Sequence, residues 1–191
     1  VLGAHHAAER AESLSAEARR LRLVETAETL RRSMALEMDL RLEAAALSEM
    51  AENTQSDPDF RVPSVDWDRT TKEVLTLEWI DGIHLSDHAA LLANGFDLKE
   101  LARAVIQSFL RHALRDGFFH ADMHPGNLFI DKDGRIVAVD FGIMGRLGPK
   151  ERRFLAEILY GFITRNYRRT AEVHFEAGYV PSHHSVDDFA L

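Results

Sequence analysis

The chain has 191 residues, enough to bury one sizeable core. Its formal net charge is −8, from 31 acidic and 23 basic residues, which argues against a nucleic-acid partner. There is no cysteine, so no disulfide framework and no thiolate chemistry, and no apolar run reaches the ~18 residues of a membrane-spanning helix.

Residues 1–8 are small and His-bearing, and are expected to be frayed, with His5-His6 exposed. From Glu9 to about Ala51 the chain is rich in Ala, Leu, Glu and Arg and has no Gly or Pro, which predicts helix. A single helix of that length is unusual in a globular domain, so a break is expected, with Ser13 or Ser15 as an N-cap. Leu36, Leu40, Ala44 and Leu47 fall on one face, and Asp39 and Glu43 lie one turn apart on an adjacent stripe. By residue type alone that stripe is a solvated acidic face. Residues 52–61 read as a polar loop.

Two strands are expected next, around Val62–Trp67 and over Glu73–Ile80 (EVLTLEWI). Asp81-Gly82 would break the second. A short helix over Leu85–Ala93, with Ser86 as cap, ends at Asn94-Gly95. Asp97 opens a longer helix to about Arg115. On it Leu98, Leu101, Val105, Phe109 and Ala113, with Ile106 and Leu110 beside them, form an apolar stripe. Asp116-Gly117 stops it.

Phe118 to Gly142 is the densest stretch. His120-Ala121-Asp122 is followed five residues after the Asp by Asn127. Two short apolar runs, Leu128–Ile130 and Ile136–Val139, flank the hairpin-type turn Asp131-Lys132-Asp133-Gly134. Asp140-Phe141-Gly142 closes the second run. Phosphoryl transfer needs a carboxylate near the attacking hydroxyl or water, and hard oxygen ligands for Mg²⁺ on the triphosphate. Asp122 suits the first task, Asn127 and Asp140 the second, and a hairpin between them returns one ligand to the other. His120, Asp122 and His124 also alternate, which on a strand would make a zinc-type triad. Pro125-Gly126 argues for a loop there, and zinc would leave Asn127 and Asp140-Phe141-Gly142 unexplained.

HADMHPGN (His120–Asn127) with VDFGIMGRL (Val139–Leu147) closely resembles the UbiB (AarF) family of atypical kinase-like proteins that support quinone-lipid biosynthesis. The resemblance runs from about Leu30 to the C-terminus. It implies an α+β, protein-kinase-like fold: residues 1–76 the remainder of an N-lobe, with helices and then strands; 77–82 the hinge; 83–191 a mostly helical C-lobe. It implies Asp122 as the catalytic carboxylate, Asn127 and Asp140 as Mg²⁺ and nucleotide ligands, and His120, Phe141 and Gly142 as structural. In this reading His124 helps to position phosphate or the loop.

The same resemblance makes Glu43 the carboxylate that pairs the ATP-binding Lys, from E-x-D-(x3)-E-A-A on the helix equivalent to kinase αC. Glu37 and Asp39 match the family's regulatory E-x-D pair. Leu77 would line the back of the adenine pocket, and the backbone of Glu78, Trp79 and Ile80 would meet the adenine edge. The matching Lys, the alanine-rich loop and the K-x-G-Q segment should lie upstream of this helix, and none is in the sequence. The chain begins with Val and ends without a closing signal, so it is expected to be an internal fragment, inactive by itself.

After Gly142 three glycines and a proline imply a sharply turning segment, without A-P-E. Pro149 opens a helix to about Asn166 with Phe154, Leu155, Ile158, Leu159 and Phe162 as its core face. A helix around Thr170–Ala177 follows. His183-His184 reads as exposed loop, and Ser185–Leu191 as the start of a helix. The implied activity is that of an atypical kinase or ATPase using ATP and Mg²⁺. Two other readings stand beside it: a non-catalytic nucleotide-binding scaffold, and a phosphotransferase of the aminoglycoside or choline kinase kind. The implied partners are membrane lipid or quinone precursors and quinone-biosynthesis enzymes. The implied location is cytoplasmic, peripheral to the inner membrane.

Overall fold

The helical N-terminal segment breaks before Leu40, where an aspartate caps the next helix. In a computed structural model, which describes residues 2–15, 20–181 and 183–189 (and not the side chains of 2–5, 8, 9, 30 and 32–37), three helices stand out among the described residues of the segment. They are α1 (Leu2–Leu14), α2 (Leu23–Glu37) and α3 (Leu40–Asn53). The start expected to fray is helical from Leu2, as its Ala and Leu content allows. Ser13 lies inside α1, its Oγ donating to the Arg10 carbonyl at 2.7 Å, so it is not an N-cap, and the residues that Ser15 would cap, 16–19, lie outside the described residues.

Asp39 is not part of a helix running through Glu43. Its Oδ1 accepts the Arg41 N–H at 3.3 Å and its carbonyl accepts the Leu42 N–H at 3.0 Å, so it caps α3. An Asp side chain captures backbone donors more readily than it continues a helix. Glu37 therefore ends one helix while Glu43 sits in the first turn of the next. The Glu37 side chain lies outside the described residues.

The chain divides into two compact units: Val1–Ala46 with Val65–Glu78, and Leu47–Ser64 with Trp79–Leu191. In the first, the Val24 N–H donates to Glu12 of α1 at 2.9 Å. The expected strand pair over residues 62–80 reduces to one antiparallel bridge, Val65 with Leu77, and an Asp66 N–H bond to the Thr76 carbonyl at 2.9 Å. A two-stranded ribbon alone is marginal, and no third strand pairs with it among the described residues. Its tip is a 3₁₀ turn, Trp67–Arg69, capped by Asp66. The Leu40 N–H bonds the Lys72 carbonyl at 2.9 Å.

The second unit is built on a four-stranded sheet of order β1-β5-β4-β2: β1 (Phe60–Arg61), β2 (Gly82–His84), β4 (Leu128–Asp131) and β5 (Ile136–Ala138). Gly82 does not break a strand but begins one, antiparallel to β4 with Ile83 opposite Ile130. β4 and β5 form the expected hairpin, register Leu128 opposite Ala138 and Ile130 opposite Ile136. Gly134 turns it at φ 79°, a conformation costly for other residues. Asp131, buried, staples the turn by accepting the N–H groups of Asp133 (3.0 Å) and Arg135 (2.9 Å) and the Nε–H of Arg61 on β1 (3.1 Å). A second sheet pairs β3 (Phe118–His120) antiparallel with β6 (Met144–Arg146). The glycine-bearing segment after Gly142 is thus strand as well as turn.

Helix α4 (His88–Ala93) is capped by Asp87 rather than Ser86, and α5 (Leu98–Arg111) by Asp97, whose Oδ1 accepts the Lys99 N–H at 2.7 Å. Leu101 and Ala113 are buried as expected, but Ile106 faces solvent. The helix does not run uniformly to Arg115: its last turn, His112–Asp116, is π-helical and stops at Gly117. Helix α6 (Pro149–Ile163) buries Phe154 but exposes Phe162, and α7 (Tyr167–Glu176) precedes the short α8 (Val186–Phe189). His183 and His184 are exposed.

The π-helical turn explains the loop read as merely polar. Asp57 is buried, with Oδ1 on Arg115 Nη1 at 2.6 Å and Oδ2 on His112 Nε2 at 3.1 Å. Arg111 donates two hydrogen bonds to Asp59, at 2.7 and 2.8 Å. Residues 54–59 are thereby tied to the end of α5.

Candidate active site

β3 delivers the chain into residues 121–127, and the hairpin returns it at Asp140. His120 is almost fully buried and both its nitrogens are engaged. Nδ1 accepts the Asp122 N–H at 3.1 Å, so Nε2 carries the proton and donates to the Val139 carbonyl at 3.1 Å. Its ring meets Phe141 edge-on, centroids 5.0 Å apart. With no free lone pair His120 is no zinc ligand, and the alternating triad does not form.

Asp122 is half-exposed, and the bonds around it are backbone bonds that aim it. The Asp122 carbonyl accepts the His124 N–H at 2.8 Å and the Asn127 Nδ2–H at 3.2 Å. Pro125–Asn127 is a single 3₁₀ turn, and the Asn127 N–H donates to the His124 carbonyl at 3.0 Å. Because the Nδ2 of buried Asn127 is spent on Asp122, its Oδ1 is left as the oxygen for a ligand.

Asp140 is held on both sides. The Val139 N–H bonds the Asn127 carbonyl at 2.9 Å, and Phe141 is buried. Between these anchors Asp140 adopts φ 62°, sparsely populated outside glycine, and its side chain is exposed. Among the described residues its Oδ1 receives only a long bond, 3.4 Å, from the Gly142 N–H. Asp122, Asn127 and Asp140 are thus organised by one frame, the hydrogen bonds of His120 and Val139 packed against the Phe141 ring. The Asn127 amide oxygen and the Asp140 carboxylate are hard donors of the type that Mg²⁺ takes beside waters and phosphate oxygens.

Of the other residues singled out in the sequence, Glu37, Asp39, Glu43, Leu77 and Glu78 belong to the first unit, and Trp79 and Ile80 to the second. Asp39 pairs with Arg41 at 2.7 Å, which lowers its carboxyl to about 2. Leu77 is half-buried at its bridge with Val65, and Trp79 is 90% exposed. Sequence reasoning left His124 without a definite task. In the structure its Nδ1 accepts the Gly126 N–H at 3.0 Å and its Nε2 lies 3.9 Å from Asp122 Oδ2. The clue was His124-Pro125-Gly126, since only a glycine leaves room for the ring.

Comparison with known proteins decides the family. Residues 4–174 match the ABC1 atypical kinase-like domain. The chain belongs to this family. Among curated relatives it is 40% identical over 183 residues to "Probable protein kinase UbiB" of Azotobacter vinelandii, covering 94% of this chain and 34% of the relative. It is 42% identical over 174 residues to the protein of the same name from Tolumonas auensis, covering 89% of this chain and 32% of the relative. The chain spans about a third of the length of these relatives. A solved structure from Mycobacterium tuberculosis, described as a complex of Rv3197 with erythromycin, superposes with TM-score 0.59 at 25% identity over 85% of this chain and 40% of that one. The resemblance to UbiB and the α+β, kinase-like fold expected from the motifs both hold for this ABC1 domain. No helix among the described residues is long and apolar enough to cross a membrane.

Proposed function

We propose that this ABC1 domain is the Mg·ATP-binding and phosphoryl-transfer part of a UbiB-type protein that supports quinone-lipid biosynthesis. The observation that carries the reading is the shared frame that sets Asp122, Asn127 and Asp140 around one hairpin end. The nucleophile is water or a hydroxyl. Its oxygen bonds the γ-phosphorus while the bond from that phosphorus to the β,γ-bridging oxygen breaks, and ADP leaves with the electron pair. Asp122 orients the nucleophile and accepts its proton, which passes on to solvent. Asn127 Oδ1 and Asp140 would hold Mg²⁺, which would supply neutralisation of charge on the phosphate oxygens.

Glu43, by its match to the family pattern, orients an ATP-binding Lys, and Leu77 with the 78–80 backbone contacts adenine. Glu37 and Asp39 take the regulatory role. Membrane lipid or quinone precursors and quinone-biosynthesis enzymes are the proposed partners, at the cytoplasmic face of the inner membrane.

The deciding measurement is Mg·ATP binding and hydrolysis by the full-length protein, with and without anionic liposomes, beside its Asp140→Asn variant. Hydrolysis that liposomes stimulate and the variant loses is the expected result. Binding without hydrolysis would favour a nucleotide-binding scaffold, and equal Mg²⁺-dependent affinity in the variant would remove Asp140 from the site.

A further inference from the structure

Resting on the phosphotransfer reading above, we propose that His124 is a positioning residue: its Nε2–H holds the Asp122 carboxylate in its working orientation. Three observations converge on it. First, the tautomer is fixed. Nδ1 accepts the Gly126 N–H at 3.0 Å, so in the neutral ring the proton is on Nε2. That Nε2 is the atom facing Asp122 Oδ2, at 3.9 Å.

Second, the ring has a seat. A Cβ at Gly126 would lie 2.8 Å from Cε1 and 3.0 Å from Nδ1 of His124, so the absent side chain is what lets the ring lie over the turn. Third, the His124 backbone is the node of the loop. Its N–H bonds the Asp122 carbonyl at 2.8 Å, and its carbonyl accepts the Asn127 N–H at 3.0 Å. A side chain anchored at this node and aimed at the Asp122 carboxylate is placed to choose its rotamer.

The 3.9 Å separation is longer than a hydrogen bond. Both side chains are about half exposed, and such contacts commonly tighten only when substrate is bound. The frame described above fixes the Asp122 backbone through His120 but makes no bond to its carboxylate, so His124 supplies what that frame does not.

Two substitutions separate capping of the turn from positioning of Asp122. His124→Asn keeps an acceptor where Nδ1 was, so the bond from Gly126 survives, and removes the distal donor. His124→Gln returns an amide N–H near the place of Nε2. In the full-length protein His124→Asn should lower kcat for ATP hydrolysis about ten- to a hundredfold, the usual cost of a misplaced reacting group, with KM for Mg·ATP changed by less than about twofold. His124→Gln should recover most of the lost kcat. Wild-type kcat in His124→Asn, or equal loss in both variants, would overturn the proposal and leave the ring as turn filler. A wild-type protein without turnover would overturn the phosphotransfer reading and this role together, an outcome distinct from a difference confined to the variants.

Discussion

Among its described residues the second unit contains two Asp–His pairs, and their surroundings differ in almost every respect. Asp57 and His112 meet at 3.1 Å with side chains 3% and 1% exposed. Asp122 and His124 stand 3.9 Å apart with side chains 47% and 55% exposed. Both oxygens of Asp57 are saturated by Arg115 and His112, and Arg111 lies 3.3 Å away. The bonds near Asp122 go to its backbone and leave its carboxylate open. The difference shows where a fold spends a carboxylate on its own cohesion and where it keeps one in reserve. A buried charge must be fully paired or it destabilises, whereas an exposed charge aimed by its backbone is free for a substrate.

The sharpest way to break the contrast is to neutralise each aspartate. Asp122→Asn should lower turnover by about 10²–10⁴, the range of a lost general base, while the unfolding midpoint stays within experimental error. Steady-state kinetics beside thermal melts would check this, and loss of fold in this variant would erase the distinction. Asp57→Ala should do the reverse. It leaves His112, Arg111 and Arg115 facing an empty acceptor site, and losing one partner of a buried ion pair costs about 3–5 kcal/mol. Urea unfolding reads that cost directly, and a change below about 1 kcal/mol would show that the arginines find other partners.

Acid should act on the buried pair first. Burial holds His112 below the ordinary histidine pKa despite the neighbouring Asp57, and its buried Nδ1 has no hydrogen-bond partner among the described residues. Between about pH 6.5 and its folded pKa the unfolded chain therefore binds a proton that the folded chain refuses, so stability falls as pH drops through that window. Burial raises the Asp57 carboxyl, but Arg115, His112 and Arg111 outweigh it and the net shift is downward. Its contribution is complete above about pH 4 and lost as pH falls through the lowered value. Denaturant midpoints over pH 4–7 should slope downward toward acid, and His112→Gln should flatten the upper part. An unchanged slope would assign it to another group.

The two pairs were not equally legible in the sequence. The Asp122 loop could be read because its determinants are local: His120, Asn127, the Gly134 turn and Asp140 lie within a stretch where spacing alone returns the chain on itself. Asp57 sat in a segment read as a polar loop, since its partners are His112 and Arg115, more than fifty residues away, on a π-helical turn that no local pattern announces. The ribbon over residues 62–80 failed for the same reason, because strand content depends on pairing that β-propensity does not supply. The break before α3 was legible in principle, for Asp39 three residues before Leu42 is a cap signal, but helix propensity on both sides masked it. His124 lay between these extremes: its residue type was visible, and its direction came only with the Gly126 seat.

A third acid–base contact refines the comparison at its weak end. Arg146 on β6 donates to Glu49 of α3 at 2.7 Å and lies 4.3 Å over the Phe118 ring. The geometry is as short as that of the Asp57 pair, but the side chains are 65% and 38% exposed, so water screens what the distance suggests. If burial rather than distance sets the worth of these pairs, Glu49→Gln should cost no more than about 1 kcal/mol in urea unfolding, several-fold less than Asp57→Ala. Added salt should shrink the Glu49 effect while leaving that of Asp57 nearly intact, because screening reaches exposed charges and not buried ones. A Glu49 effect as large as that of Asp57 would mean that this contact fastens α3 to the strand after Asp140-Phe141-Gly142 more firmly than its exposure allows.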